Sequence, residues 1–293
     1  MPIFSVITPV YNGAAHIRRC HAMLAGQTFP DWEWVVVDDG STDATAEIVR
    51  VIGDARIKLL SHRPNRGRGY ARHAALGAAT GDWMVVWDAD DMYFPDRLAA
   101  ANEARLADFD FCCSYAVVVD NTLRVKGVRG FHPRARGLPR YFVHHTLACR
   151  MEIARALGYD PSLRTGEDAT ITWVLDQRYR GRFIEDALTI YQEENEVGTA
   201  KALATVEAQI TQLRRIVPSG VLRMSTADYT VLLARLQTKR LVLQAMRLVP
   251  SLYRATIPLR SVGETAPGYV LPQARLAFIS RLQQEWPQQN GQP

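Results

Sequence analysis

The amino-acid sequence predicts an α/β fold in which a mostly parallel sheet is flanked by helices. Short β-rich runs alternate with helical patterns through the first half of the chain, as they do in βαβ units. Two of these runs end abruptly in paired carboxylates, and in open α/β sheets ligands bind beyond the carboxyl ends of the strands. The composition of the 293 residues, 47% hydrophobic and 22% charged, excludes a disordered or fibrous chain.

Runs rich in β-branched and aromatic residues predict five strands, because such residues favour a pleated, buried surface. The runs cover residues 4–10, 32–37, 57–61, 83–87 and 111–119. The first follows directly on the start of the chain, which has no charged segment or cleavage site and therefore predicts a strand rather than a signal peptide.

Helices are predicted between the strands, at about 14–24, from Ser41-Thr42-Asp43 onward, and at about 70–79. Ser, Thr and Asp are the residues that most often cap helix N-termini, so we expect Ser41-Thr42-Asp43 to start a helix rather than to act in catalysis. Residues 124–140 are rich in Arg, Gly and Pro and predict a mobile loop.

Beyond residue 200 the pattern is helical. An apolar stripe predicts one amphipathic helix, and a second helix is predicted over 229–249. The stripe consists of Leu203, Val206, Ile210, Leu213 and Val217. Residues 1–199 contain 23 Lys/Arg and 26 Asp/Glu, whereas residues 200–293 contain 12 and 4. This asymmetry predicts two regions, a catalytic domain over 1–199 and a basic helical region over 200–293.

Several classes of protein are excluded. No stretch of about 18 apolar residues could span a bilayer. The four cysteines, Cys20, Cys112, Cys113 and Cys149, lack zinc-ligand spacing and suit a reducing compartment better than a disulfide framework. We therefore expect a cytoplasmic protein, with peripheral contact at the inner membrane face as an option.

The acidic residues at two strand ends are the main candidates for a functional site. Asp38-Asp39 follows the second strand, and Asp88 and Asp90 follow the fourth. Because parallel strands end at the same sheet edge, these acids would repel one another unless a cation lies among them. Magnesium and manganese prefer carboxylate oxygens and bridge phosphates, so the pattern favours a divalent metal site for a phosphate-containing ligand.

The sequence resembles the family 2 glycosyltransferases, whose fold is the nucleotide-diphospho-sugar (GT-A) fold. Five segments carry the resemblance in the expected order, and together they cover roughly residues 1–195. They are Ser5-Val6-Ile7-Thr8-Pro9-Val10-Tyr11-Asn12-Gly13, Val35-Val36-Val37-Asp38-Asp39-Gly40-Ser41-Thr42-Asp43, Asn65-Arg66-Gly67-Arg68-Gly69-Tyr70-Ala71-Arg72, Gly81-Asp82-Trp83 through Asp88-Ala89-Asp90-Asp91, and Gly166-Glu167-Asp168.

The resemblance implies a Rossmann-like GT-A fold, an inverting transferase and a role for each matching residue. Thr8, Pro9 and Tyr11 would line the nucleobase pocket, Asp39 would accept hydrogen bonds from the base or ribose, and Arg72 would face the nucleotide. Asp88 would approach the ribose and the metal ion, Mn²⁺ or Mg²⁺, and Asp90 would ligate the metal. Asp168 would be the catalytic base, while Glu167, His144 and His145 would lie on the acceptor side.

Other interpretations of these residues stay open. Tyr11 could pack at the strand end, Arg72 could form a structural ion pair with Asp39 or Asp88, and Asp168 could only cap the following helix. One histidine of the pair His144-His145 lines the acceptor pocket, or both are buried structural residues.

One position departs from the family pattern. Family members commonly have Tyr-x-x-His after the base helix, whereas here Glu194 follows Tyr191 at that spacing. Glu194 either replaces the histidine as an oxygen ligand or lies exposed in solvent.

The function predicted is transfer of a sugar from a nucleotide-diphospho-sugar, in the first instance a UDP-sugar, to an acceptor hydroxyl. The acceptor could be a saccharide, a lipid-linked sugar, a peptide or a small molecule. The alternatives are a sugar-phosphate nucleotidyltransferase and a non-catalytic nucleotide-sugar-binding protein. The basic helices could pack on the catalytic domain, form a homodimer or contact a membrane, and their dispersed aromatic residues argue against a nucleic-acid partner.

Overall fold

The computed structural model describes residues 1–131, 140, 142–192, 198–248, 266 and 268–286. The strands are β1 (Phe4–Val10), β2 (Trp32–Asp38), β3 (Ile57–Ser61), β4 (Trp83–Val86), β5 (Met92–Tyr93), β6 (Phe111–Val119), β7 (Val125–Arg129), β8 (Ala148–Arg150) and β9 (Gly181–Gln192). The helices are α1 (Ile17–Ala25), α2 (Thr45–Ile52), α3 (Arg68–Ala78), α4 (Arg97–Leu106), α5 (Met151–Leu157), α6 (Ala169–Arg178), α7 (Thr199–Ile216), α8 (Thr226–Leu248) and α9 (Gln273–Glu285).

Within the described residues, the strands form one sheet in the order β3-β2-β1-β4-β8-β6-β9-β5, with β7 on the side of β6. The first four positions are parallel, and Val6 of β1 lies opposite Trp34 of β2 and Val85 of β4. The other half is mixed, because β8 runs antiparallel to β4 and β6 while β9 runs parallel to β6. The α/β prediction is confirmed, and the parallel arrangement predicted from the alternating pattern holds for β1 to β4.

The parallel strands β1, β2 and β4 are buried on both faces. Val6, Trp34 and Val36 belong to one apolar cluster, whereas Ile7 and Val35 point into the cluster on the opposite face. Successive side chains of a strand point to opposite faces, so an uninterrupted apolar run requires helices on both sides of the sheet. This covering leaves the carboxyl edge of β1, β2 and β4 as the open side of the sheet.

Most of the predicted elements are present in the structure. One helix begins later than predicted, and one predicted loop contains a strand. The strands predicted at 4–10, 57–61 and 111–119 have the predicted bounds, and the helix expected from Ser41 begins at Thr45. The prediction of a loop over 124–140 is wrong for Val125–Arg129, which pairs with β6 as a strand, while residues 132–139 lie outside the described residues.

The apolar stripe on α7 packs inside the molecule. Val206, Ile210 and Leu213 form a third buried cluster together with Val174 of α6 and Leu236 of α8. The interpretation that this stripe packs on its own chain therefore agrees with the structure. No helix in the described part of the chain is long and apolar enough to cross a membrane.

Helix α9 packs against the sheet and the residues around it. Arg275 forms ion pairs with Asp96 at 2.6 Å and Asp186 at 2.7 Å, and Ile279 and Leu282 are buried in the sheet's own apolar cluster. The boundary at residue 199 stays a prediction, but both flanks of the basic region are packed against the residues that precede it.

Candidate active site

A cavity of about 610 Å³ opens where β1, β2 and β4 end. Ligand pockets of this size are common in proteins, and an open α/β sheet places them at this edge. Its lining comprises Pro9, Val10, Tyr11, Asn12, Gly13, His16, Asp39, Asn65, Gly67, Arg68, Asp88, Ala89, Asp90, Asp91, Arg164, Tyr191, Gln192, Lys201, Ala202 and Thr205.

The turn after β4 brings three carboxylates to this cavity, those of Asp88, Asp90 and Asp91. The backbone N–H of Asp91 donates to the Asp88 carbonyl at 3.4 Å, which closes the turn. The Tyr93 hydroxyl donates to the same carbonyl at 3.1 Å, and its ring stacks on Trp87 at 3.7 Å between centroids. Buried aromatic residues on either side thus hold the acidic turn in place.

The three carboxylates have unlike electrostatic environments. Burial would raise the pKa of Asp88, but Arg72 and other nearby cations hold it well below its ordinary value. Desolvation and the Asp88 charge raise the pKa of Asp90. Burial and the two neighbouring carboxylates raise the pKa of Asp91 well above its ordinary value. Like charges packed together in this way favour a bound cation.

Asp88, Asp91 and His145 each offer a potential metal-ligand atom, and these atoms lie within 4.8 Å of one another. Burial lowers the pKa of His145 to about 3, so the imidazole is neutral, as a metal ligand must be. Its Nε2 atom is buried and has no hydrogen-bond partner among the described residues. Two carboxylates and an imidazole are a donor set that fits Mn²⁺.

This group differs from the predicted metal site, which was Asp88 and Asp90. Asp88 is common to both, and Asp90 lines the cavity as an exposed residue outside the group. Neither Asp91 nor His145 was predicted as part of a metal site. His145 lies far along the chain and reaches β4 only because the turn His144–Thr146 leads into β8.

Basic residues line the same cavity as the acids. Arg68 at the first position of α3, Arg164 and Lys201 of α7 all belong to the lining. The Arg164 side chain donates to the backbone carbonyl of Asn65 at 3.2 Å. A cavity lined by both acids and basic residues suits a metal ion bound together with a diphosphate. The match to the family pattern named Arg68 but gave it no role, and Lys201 lies outside that match.

The residues predicted to bind the nucleotide separate into two groups. Pro9 and Tyr11 line the cavity, and Tyr11 has 51% of its surface exposed, as a base-stacking residue requires. Thr8 does not line it. The Thr8 side chain is fully buried, and its hydroxyl donates to the Trp87 carbonyl at 2.7 Å and accepts from the Trp34 indole at 2.8 Å. Thr8 ties β1 to its two neighbours instead.

Asp39 lines the cavity but is already hydrogen-bonded. Its carboxylate accepts from the backbone N–H groups of Arg66 at 2.8 Å and Gly67 at 2.7 Å, and it lies 2.6 Å from Nε2 of His62. These bonds fix the loop before α3 against the end of β2. A carboxylate has about four acceptor sites, so capacity remains for a base or ribose.

Arg72 does not face the cavity as predicted. It is buried, and its guanidinium lies between Asp88, at 2.6 Å, and Glu167. The interpretation of Arg72 as a structural ion pair with Asp88 agrees with the structure. Glu167, predicted on the acceptor side, is buried in this pair, so both residues hold the acidic turn to the segment that contains Asp168.

The two histidines predicted on the acceptor side lie away from the lining of this cavity. His144 and His145 are buried, and neither belongs to the cavity lining. Nε2 of His144 lies 2.9 Å from the Tyr159 hydroxyl, and Nδ1 of His145 lies 3.2 Å from Asp91. Tyr191 stacks on His145 from the cavity side, at 5.3 Å between ring centroids. Glu194 lies outside the described residues.

Asp168 occupies the N-cap position of α6, yet its carboxylate makes no capping hydrogen bond. The interpretation that it only caps this helix is therefore not realised. Asp168 is half-buried and its charge acts on Arg72: burial lowers the Arg72 pKa, but Asp88, Tyr159 and Asp168 raise it overall. Asp168 is not part of the cavity lining, and its carboxylate has no hydrogen-bond partner among the described residues, so an acidic side chain without such a partner lies beside the Arg72 network.

The fold and the acidic cavity define a GT-A glycosyltransferase, and comparisons with known proteins agree. The family model "Glycosyl transferase family 2" matches residues 5–151, half of the chain. Putative glycosyltransferase EpsE of Bacillus subtilis is 30% identical over 214 residues, which cover 67% of this chain and 74% of that protein. The chain belongs to glycosyltransferase family 2.

Other relatives share a shorter segment. Succinoglycan biosynthesis protein ExoO of Rhizobium meliloti is 43% identical over 98 residues, which cover 33% of this chain and 28% of that protein. An uncharacterized glycosyltransferase of Haemophilus influenzae is 36% identical over 100 residues, 40% of its length. The chain thus matches less than half of the length of these two relatives.

Solved structures share the fold. S. aureus TarS 1–349 in complex with UDP-GlcNAc has a TM-score of 0.62 and 22% identity, with 80% of this chain and 72% of that chain covered. Mannosyltransferase PcManGT from Pyrobaculum calidifontis, in complex with GDP-Man and Mn²⁺, has a TM-score of 0.57 and 19% identity, with 98% and 81% covered.

Proposed function

We propose that this protein is an inverting, metal-dependent glycosyltransferase that moves a sugar from a nucleotide-diphospho-sugar to an acceptor hydroxyl. The observation that carries the proposal is the group Asp88, Asp91 and His145 after β4, beside a cavity that the basic residues Arg68 and Arg164 also line. A metal ion at the acids and a diphosphate at the basic residues would satisfy both sets of charges.

UDP-sugars are the donors we propose first. TarS has been solved with UDP-GlcNAc and PcManGT with GDP-Man and Mn²⁺, and both share this fold. Tyr11 would stack on the base and Asp39 would accept hydrogen bonds from the base or ribose. Pro9 would line the same pocket, at the end of β1.

Asp88, Asp91 and His145 would hold the metal ion, Mn²⁺ or Mg²⁺, with Asp90 at the cavity surface as a further oxygen ligand. When bound, such an ion neutralises negative charge on a leaving diphosphate. Arg68 and Arg164 donate hydrogen bonds to phosphate oxygens and orient the donor, since charge-assisted bonds from a guanidinium fix direction as well as charge.

Asp168 is the proposed base. Its carboxylate accepts the proton of the attacking hydroxyl, and direct displacement at the anomeric carbon inverts the configuration. One feature supports this role: the carboxylate is not used to cap α6. A single displacement needs no second carboxylate as nucleophile, unlike the retaining glycosidases.

Replacing Asp168 with Asn tests the proposed role of Asp168 as the base. Turnover is measured as nucleoside diphosphate released from UDP-glucose, UDP-N-acetylglucosamine or GDP-mannose, with water as the acceptor. We expect Asp168→Asn to lower kcat by roughly 100-fold or more, because a general base contributes about 10²–10⁴ to the rate. Asp31→Asn, at an exposed acid before β2 on the opposite sheet edge, is the matched control.

Four results test the proposal against its alternatives. Undiminished kcat in Asp168→Asn overturns the base. Undiminished turnover after chelation with EDTA overturns the metal requirement. Turnover of no donor, combined with release of pyrophosphate from a nucleoside triphosphate and a sugar phosphate, identifies a nucleotidyltransferase, and binding without any turnover identifies a non-catalytic nucleotide-sugar-binding protein.

We further propose that the protein contacts a membrane through α8. Val231, Leu241, Val242 and Leu248 are 46%, 59%, 45% and 84% exposed and lie on one helix face, with the exposed Arg235 among them. An apolar face with basic residues fits an anionic bilayer surface, and like charges disfavour a second copy of the same face.

Vesicle co-sedimentation tests the membrane contact. The protein is expected to sediment with phosphatidylserine vesicles, less with phosphatidylcholine alone, and Leu241→Asp should reduce binding at least tenfold. Leu106→Asp alters an exposed leucine on α4 and should leave binding unchanged. Equal binding of both variants, or dimerisation lost in Leu241→Asp, would contradict the proposal.

A further inference from the structure

One side chain of the basic helical region forms hydrogen bonds to the segment that contains Asp168. Gln212 of α7 is buried, with 1% of its surface exposed. Its Nε2 donates to the Gly166 carbonyl at 2.5 Å, and its Oε1 accepts from the backbone N–H of Thr170 at 3.2 Å and from the Thr170 hydroxyl at 2.5 Å. Gln212 therefore bonds to the chain on both sides of Glu167 and Asp168.

The hydrogen bond from Thr170 to Gln212 replaces the capping hydrogen bond that an N-cap side chain normally accepts. The first N–H groups of a helix have no partner inside the helix, and an aspartate at the N-cap position usually accepts from one of the next two or three residues. In α6 the N-cap residue is Asp168, and Thr170 is the second helical residue. Because Gln212 accepts from Thr170, the Asp168 carboxylate is not drawn back onto its own helix.

Helix α7 also fixes the backbone before Asp168. The hydroxyls of Thr165 and Thr205 lie 3.0 Å apart. Gly166 has a φ of +68°, and a Cβ there would lie 3.0 Å from the Thr205 carbonyl and 3.1 Å from Cβ of Ala208. A side chain at residue 166 would strain the backbone and push the segment away from α7.

We infer that Gln212 is a positioning residue for the base: it caps α6 in place of Asp168 and keeps the Asp168 carboxylate directed to the acceptor. The inference rests on the proposed function of Asp168. Gln212 lies outside the residues matched by the family model, 5–151, so a helix beyond that match completes the site.

A double-mutant cycle tests this role. Gln212→Ala should lower kcat for donor hydrolysis by roughly tenfold or more, since misplacing a catalytic group by about 1 Å costs up to 100-fold. KM for the donor and the Tm increase caused by UDP and Mn²⁺ should stay unchanged. In an Asp168→Asn background the same change should have little further effect on kcat, because Gln212 acts through the Asp168 carboxylate.

Gln209→Ala is the matched control, because Gln209 is a half-buried residue of the same type on the same helix. If Gln212→Ala fails to fold, Gln212→Met keeps the side-chain length without the amide and serves in the same cycle. Multiplicative losses in the Asp168→Asn background, or kcat within twofold of the native value, would overturn the inference. Asp168→Asn alone reports on the base, so failure of the proposed function is recognised separately.

Discussion

At the scale of single residues, Arg72 connects the two acidic parts of the site. Its planar guanidinium bonds to Asp88 after β4 and to Glu167 before α6, so one buried cation holds the acidic turn and the Asp168 segment in register. A lysine has a single ammonium and could not span both carboxylates with the same geometry. Removal of Arg72 would leave Glu167 buried without its partner.

We therefore expect Arg72→Met to lower the free energy of unfolding by roughly 3–5 kcal/mol, the loss typical when one member of a buried ion pair is removed. Urea unfolding followed by tryptophan fluorescence measures it. Arg182→Met is the control, because Arg182 and Glu103 form an exposed pair at 3.3 Å that contributes at most about 1 kcal/mol. Equal losses in the two variants would show that the Arg72 pairs are not what stabilises the site.

Part of the site could be predicted from residue order alone. Asp39, Asp88 and Asp90 follow buried strands, and strand ends meet at one edge of a parallel sheet. Asp91 was not predicted as a candidate ligand because adjacent acids give no signal of which side chain turns inward. His145 was misplaced because only the antiparallel pairing of β8 with β4 brings it behind the acids.

At the scale of elements, the N-terminus of α3 depends on glycine at Gly69. A Cβ at this residue would lie 2.3 Å from the Asp160 carbonyl and 2.4 Å from the Leu163 carbonyl. The Gly69 N–H also donates to the Leu163 carbonyl at 3.1 Å. This close approach seats the chain from Asp160 to Arg164 against α3, and Arg164 lines the cavity as a result.

Two glycines of α3 should respond in opposite directions to alanine. Gly69→Ala is expected to lower the free energy of unfolding by about 1–3 kcal/mol, because the added methyl group displaces backbone. Gly77→Ala, where nothing lies within 4 Å of the added Cβ, should raise it by about 0.5–1 kcal/mol through helix propensity. Urea unfolding of both variants tests this, and stabilisation by Gly69→Ala would contradict the close packing.

Elements with an uninterrupted apolar pattern were predictable, and those without one were not. β1, β3 and β6 have the predicted bounds. β9 was missed because Glu185 and Asp186 interrupt its apolar residues, and in the structure Asp186 pairs with Arg275 of α9. The acid in β9 is explained only by this ion pair, whose partner lies far away in the sequence.

At the scale of the whole molecule, the basic region contributes residues to the lining of the cavity. Its charge asymmetry predicted a separate unit, but charge reports on association and not on packing. Lys201 and Thr205 of α7 line the cavity, Gln212 caps α6, and Arg275 of α9 pairs with Asp96. These contacts depend on the tertiary packing of residues far apart in the chain, so no local pattern could have predicted them.

The most direct measurement is a thermal-shift panel of UDP, GDP, dTDP and CDP, each with and without Mn²⁺. At about one hundred times its Kd, a ligand stabilises the fold by roughly 2.7 kcal/mol, or about 5–10 °C in Tm. We expect such a shift with one nucleotide, UDP first, only when Mn²⁺ is present, and its loss in Asp91→Asn. Equal shifts with and without Mn²⁺, or no shift with any nucleotide, would contradict a metal-dependent donor site at Asp88, Asp91 and His145.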